Sequence, residues 1–264
     1  EYRYDDNQNI TEVITPNGTS TTYEYDRQDN LTLQIDALGN EIEFTYDPVF
    51  GEVASVTDAR GNAINYTYND AGDLAGITYA DESGEQYIYD ESENLIEYVN
   101  RRGQSVNYTY DEQNRVTNKT VGEESIDYTY DERGNLATAT DSSGITSLEY
   151  DDASRLTKIT YPNGKSVAYS YDEAGRRSQT IDQDGFTVNY SYNERGRLAD
   201  LTDGEGNSIV TYQYDDVGNL IREDNGNGTY TIYEYDLANQ ATSVINYAPA
   251  GTINSSFEYT YDHQ

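Results

Sequence analysis

Little in this 264-residue sequence could do nucleophilic or acid–base chemistry. There is no cysteine, and the single histidine, His263, stands one residue from the end, so thiolate chemistry and histidine relays have no residues to use. Forty-nine carboxylates remain. A glycosidase-like pair needs one singular environment that drives two carboxyl pKa values apart, whereas these acids recur in a dozen similar contexts. Hard-oxygen ligands cluster at Asp5 and Asp6, Asp151 and Asp152, and Asp215 and Asp216. None of these pairs lies in a D-x-[DN]-x-[DN]-G-x5-E loop. Turn formation with surface charge is therefore the preferred reading, and Ca2+ at these six aspartates is a weak expectation. No other metal, no cofactor and no catalytic residue is expected.

The chemistry that does recur belongs to tyrosine and aspartate. A Tyr-Asp or Tyr-Asn pair returns at Tyr4, Tyr25, Tyr46, Tyr68, Tyr89, Tyr110, Tyr130, Tyr150, Tyr171, Tyr192, Tyr214, Tyr235 and Tyr261, in steps of 20 to 22 residues until a last step of 26. Two residues earlier stands a second ring, at Tyr23, Tyr66, Tyr108, Tyr128, Tyr169, Tyr190 and Tyr212 among others, with Leu148 as the aliphatic exception. Positions i and i+2 share a face only in a strand, so Y-x-Y predicts strands with an aromatic face. Arg3, Glu24, Thr45, Thr67, Thr109, Thr129 and Ser170 stand between the rings and predict a wet opposite face.

After the rings come Asp26, Asp111, Asp131, Asp172 and Asp215, in segments such as Asp131-Glu-Arg-Gly-Asn135. Asp bonds the backbone ahead of it and Gly accepts positive φ, so these segments are turns. An aliphatic residue follows, as at Leu31, Leu74, Leu136 and Leu220, and opens a second strand. A second turn then closes the unit, as at Pro16-Asn17-Gly18 and Pro162-Asn163-Gly164. Each repeat of about 21 residues is thus a two-stranded antiparallel hairpin with strands of about six residues. The chain reads as all-β: a single array of about 12 repeats over 1–264 and about 25 strands, forming a continuous sheet. Open twisted sheets beyond about ten strands curl, so the expected architecture is a β-spiral, tube or shell wall with the tyrosine face turned inward. The final step of 26 predicts an enlarged, bulging loop at Tyr247-Ala-Pro-Ala-Gly251.

Composition narrows the function classes. The formal charge of −33 excludes nucleic acid as a natural partner. Leu, Ile, Val and Phe are scarce enough to suggest disorder, but 29 tyrosines can bury ring faces while keeping their hydroxyls wet. Thirteen Arg stand against three Lys, Lys119, Lys158 and Lys165, and such an acidic, lysine-poor surface suits a salt-rich medium. No apolar run is long enough to span a bilayer. A sequence that opens at Glu1 and holds repeat motifs at both ends reads as an internal fragment of a longer chain.

The motif Y-x-Y-D-x-x-G-[NR]-L, followed by an aliphatic–Thr pair and x-x-G, resembles the YD-repeat family, also called the RHS-repeat family. The resemblance covers the whole sequence. It implies β-sheet spirals of the kind that build hollow shells in bacterial Rhs toxins, in the C component of insecticidal toxin complexes and in teneurin-like surface proteins. In the toxins the shell encloses a C-terminal effector. Such shells are commonly sealed by a core segment whose aspartates perform self-cleavage, and no such non-repeat segment occurs here. The expectation is therefore a non-enzymatic, extracellular or cell-surface scaffold forming the wall of a tube, filament or shell, with a toxin-shell segment around an effector or a cell-surface adhesin as alternatives. Its partners would be itself or further repeats of the same chain, and alternatively an enclosed effector domain or surface glycans.

Overall fold

The protein, a computed structural model, is described over residues 1–261. Among the described residues there are 25 strands and no helix. The chain divides into two units, Glu1–Tyr128 and Thr129–Gln264.

In the first unit each strand pairs antiparallel with the next. Ser20–Tyr25 pairs with Leu31–Ile35, which pairs with Glu41–Tyr46, and the sequence of pairings continues to Ser105–Tyr110 with Val116–Val121. The register carries a recurrent irregularity. Glu24 faces Leu33 but Tyr25 faces Leu31, so Thr32 is an extra residue on its strand, a β-bulge. The same bulge falls at Tyr46, Tyr68, Tyr89 and Tyr110. The second unit repeats the plan from Leu136–Asp141 to Ile253–Glu258, with the bulge at Tyr150, Tyr171, Tyr192, Tyr214 and Tyr235.

Both ends of most hairpins use one turn. At Asp26–Asn30 the Asp26 N–H donates to the Asn30 carbonyl at 2.9 Å and the Asp29 N–H to the Asp26 carbonyl at 3.2 Å. Thr15–Thr19, at the other end, closes the same way at 2.9 and 3.0 Å. The departures from the 21-residue period have local causes. Val121 faces Glu124 and Asp141 faces Gly144 across two-residue loops, which shortens those repeats. The loop from Asp47 to Glu52 holds one residue more than the usual turn, and Ile209 is an extra residue in its strand. The expected enlarged loop at Tyr247–Gly251 does not exist. Ala248 to Thr252 forms the ordinary turn, closed at 2.8 and 2.9 Å. The extra residues are instead absorbed along the paired strands Ala241–Tyr247 and Ile253–Glu258, where Asn254 is an additional bulged residue. Pro249 sits where any of these turns accepts proline.

The alternation read from Y-x-Y holds. Glu24, Thr45, Thr67, Thr109, Thr129 and Ser170 are exposed, while the rings flanking them are half-buried. The expected all-β array of antiparallel hairpins is present, and neither unit closes into a barrel. Val210 at 6% exposure is the buried apolar residue and Ser243 at 7% the buried polar one among the described residues. A one-layer ribbon covers a side chain from its flanks and leaves its tip in water. Phenol suits that position, because the ring is covered while the hydroxyl keeps a polar partner.

Candidate functional site: the phenol and aspartate fastenings of the repeats

The aspartate of each motif folds its own turn. Asp26 Oδ1 accepts the N–H groups of Gln28 at 2.8 Å and Asn30 at 2.9 Å, and its Oδ2 accepts the Asn30 amide at 3.0 Å. Asp131 does the same with Arg133 and Asn135, all at 2.9 Å. Where arginine replaces asparagine at the fifth position, its Nε takes the amide's place: Arg115 on Asp111, Arg155 on Asp151 and Arg176 on Asp172, each at 2.8 Å. Hydrogen bonds that need a charged acceptor hold these carboxyls below the usual carboxylate range. For Asp26 the first cause is the Asn30 N–H; for Asp111 and Asp172 it is the arginine side chain. The fourth position lies in left-handed backbone, with φ of 88° at Gly134 and 78° at Gly175, but also 64° at Asp29 and at Glu93.

These contacts bear on the six aspartates singled out for Ca2+. The Asp5, Asp151 and Asp215 oxygens accept their own turns' N–H groups. Asp152 pairs with Arg133 at 2.6 Å and Asp216 with Arg195 at 3.8 Å. Asp6 is exposed. Among the described residues no three His, Asp or Glu side chains converge to hold a metal ion.

In most motifs the second tyrosine fastens one repeat to the one before it. Tyr25 Oη donates to the Ile10 carbonyl at 2.9 Å, Tyr46 to Leu31 at 2.7 Å, Tyr68 to Val53 at 2.7 Å, Tyr89 to Leu74 at 3.0 Å and Tyr110 to Leu95 at 2.7 Å. In the second unit Tyr171 reaches Leu156 at 2.7 Å, Tyr192 reaches Arg177 at 2.8 Å, and Tyr214 and Tyr235 reach Leu198 and Leu220 at 2.9 Å. Each acceptor opens the strand that carries the bulge, so the phenol meets a carbonyl where the ladder is locally broken. Burial raises the Tyr25 and Tyr46 pKa values, and the Asp5 and Asp26 carboxylates add to the effect.

Arginine extends the fastening. Arg155 lies over the Tyr171 ring at 4.6 Å and Arg176 over Tyr192 at 4.3 Å, while each pairs with the aspartate of its own turn at 2.7 Å. A carboxylate, a guanidinium and a ring thus join consecutive repeats. The first tyrosines, Tyr23, Tyr66, Tyr108, Tyr128, Tyr169, Tyr190 and Tyr212, share the covered face and are half-buried. Arg177 lies over Tyr169 at 4.5 Å, and Thr180 donates to Tyr190 at 3.3 Å. Tyr130 is half-buried in the same manner.

One cluster departs from the repetition. Glu85 accepts the hydroxyls of Tyr79 at 3.1 Å, Tyr87 at 2.8 Å and Tyr98 at 3.0 Å. Arg101 stacks on Tyr79 at 3.8 Å and pairs with Asp81 at 2.9 Å, beside an open cleft of about 580 Å³. Three phenol donors hold the Glu85 carboxyl low, the Tyr87 hydroxyl first. A carboxylate so saturated is a poor proton acceptor, and the cluster is built to cross-link strands. His263 lies outside the described residues. No residue type in the sequence marks the carbonyl that each phenol meets or the ring under each arginine, although the acceptor stands 15 residues before most of these tyrosines and 16 before Tyr214.

The RHS Repeat family model matches residues 4–41, 46–83, 192–225 and 214–253, together more than half of the chain. The Teneurin YD-shell model matches residues 97–181. No curated protein sequence matches. Among solved structures, a chain of TcdB2-TccC3-TEV is similar over 99% of this chain and 17% of its own length, with a TM-score of 0.74 and 16% identity. A chain of TcdB2-TccC3 is similar over 99% and 19%, with a TM-score of 0.60 and 14% identity. A chain of TcdB2-TccC3-Cdc42 covers 92% and 16%, with a TM-score of 0.63 and 16% identity. This chain therefore spans less than a fifth of the solved chains it resembles, and at these identities the likeness is one of fold.

Proposed function

Because the chain belongs to the family of RHS-repeat proteins, we propose that it is a stretch of non-enzymatic shell wall, built outside the cell and continued by further repeats of the same kind. Support comes first from the repeated phenol-to-carbonyl fastening, which makes every hairpin depend on its neighbour and gives a wall its continuity. The motif aspartates hold turns and Glu85 cross-links strands, which suits a scaffold rather than a catalytic domain. Among the described residues no helix is long and apolar enough to cross a membrane. The shell-forming relatives and the TcdB2-TccC3 likeness favour a wall around an enclosed effector over a filament.

Electron cryo-microscopy of the full chain from its native source tests this reading. The expected result is a closed body whose wall contains these repeats, with density inside. A solid fibre, or an open ribbon with both faces in solvent, would retire the shell.

A further inference from the structure

The sequence carries nine Asn-x-Ser/Thr triplets, the acceptor signal for N-linked glycosylation. The fold treats eight of them in two ways; the ninth, Asn254, is an exposed residue of strand Ile253–Glu258. In four, the amide nitrogen that would carry the sugar is already a donor within the sheet or its turns. Asn9 Nδ2 bonds Asp5 and Asp29 at 3.1 and 2.8 Å, and Asn30 bonds Asp26 at 3.0 Å. Asn118 bonds Ser125 and Asp127 at 2.7 Å, and Asn189 bonds the Asp203 carbonyl at 2.9 Å. Replacing one of those N–H bonds by a sugar would break a turn or a cross-strand contact.

Four others are presented. Asn65 and Asn107 are exposed, on the polar face opposite the tyrosines, each two residues before an exposed threonine on the same face, Thr67 or Thr109. Asn17 and Asn227 are exposed in hairpin turns of sequence Asn-Gly-Thr. There the threonine hydroxyl donates to the asparagine Oδ1, at 3.0 Å from Thr19 and 2.7 Å from Thr229. That contact sets the hydroxyl on the amide oxygen of an exposed asparagine.

We infer that Asn17, Asn65, Asn107 and Asn227 are N-glycosylation sites, so that the polar face and the hairpin-turn edge carry covalent sugar. The donor is a lipid-linked oligosaccharide phosphate handled by a membrane oligosaccharyltransferase. The bond from sugar C1 to the phosphate oxygen breaks, a bond from C1 to Nδ2 forms, and the amide proton leaves with the lipid phosphate. The sugar is here a covalent part of the wall and not a ligand of the tyrosine face. The inference rests on the extracellular reading above, since the chain must meet that transferase on its way out.

Glycopeptide mass spectrometry of the full chain purified from its native source, after fractionation of cells and medium, tests it. The expected result is a glycan at these four asparagines, none at Asn9, Asn30, Asn118 or Asn189, and loss of the Asn65 glycan alone in Thr67→Ala. Exported protein with all nine asparagines unmodified, or with sugar on the four engaged ones instead, overturns the inference and leaves export standing. Protein confined to the cell interior and unmodified overturns both.

Discussion

At the scale of single residues, tyrosine and aspartate divide the labour, and their substitutions should separate cleanly. Tyr110→Phe keeps the half-buried ring but removes the donor to the Leu95 carbonyl. It should cost about 1 kcal/mol, the usual net worth of one such bond, read by urea unfolding. A loss indistinguishable from zero would mean that water replaces the phenol without penalty. Asp111→Ala removes the acceptor of three donors in one turn. Asp152→Ala removes a side chain that is fully exposed, at 102%. The first should lower the melting temperature clearly and the second hardly at all. Equal effects would show that net charge, not turn geometry, is what these acids contribute. Much of this residue logic was legible in the sequence. The Tyr-x-Tyr alternation and the aspartate turn are local, spanning two and four residues, and local chemistry is written in adjacent letters. The phenol's partner was not legible because it is a backbone carbonyl, which every residue has and no letter marks.

Turns, strands and bulges make up the next scale. The fourth turn position is left-handed throughout, and glycine fills it in some repeats while Asp29, Glu93, Asn114 and Ser154 fill it in others. A side chain there costs roughly 1 kcal/mol or more, so Glu93→Gly should stabilise the protein by up to about 1 kcal/mol, against the usual effect of adding a glycine. Thermal unfolding checks this, and a destabilised variant would mean that chain entropy outweighs the strain. The length of each hairpin was legible, but its irregularities were only partly so. Proline and glycine at 249 and 251 read as a bulging loop that would account for the 26-residue step, whereas the extra residues extend paired strands. Repeat spacing records how many residues are inserted, not whether a strand or a turn absorbs them. The bulge at Thr32 and its equivalents left no trace in the hydrophobic pattern, since one unpaired residue looks like any other polar position.

For the whole molecule, charge and titration act together. Burial raises the pKa values of the fastening phenols Tyr25, Tyr46, Tyr68, Tyr89, Tyr110 and Tyr235, so their contribution is complete below about pH 10 and lost as pH rises through the folded value. Turn aspartates such as Asp26, Asp111 and Asp131 have lowered values, so theirs is complete above about pH 4 and lost as pH falls through the folded value. Alkali also adds phenolates to a chain already at −33, whereas acid relieves that repulsion. The melting temperature should therefore be flat between these limits, fall steeply on the alkaline side and fall more gently on the acid side. A steeper acid limb would show that the aspartate turns outweigh the phenol bonds. Raising NaCl from about 0.1 to about 1 M shortens the screening length from about 10 to about 3 Å and should raise the melting temperature at neutral pH. The phenol bonds also have a direction: Tyr25 reaches back to Ile10, Tyr46 back to Leu31, and Tyr68 back to Val53. Each hairpin is latched by the one translated after it. A nascent array is thus a one-way zip, in which every repeat waits for its successor before its exposed carbonyl is closed, and fraying should begin at whichever repeat has no follower.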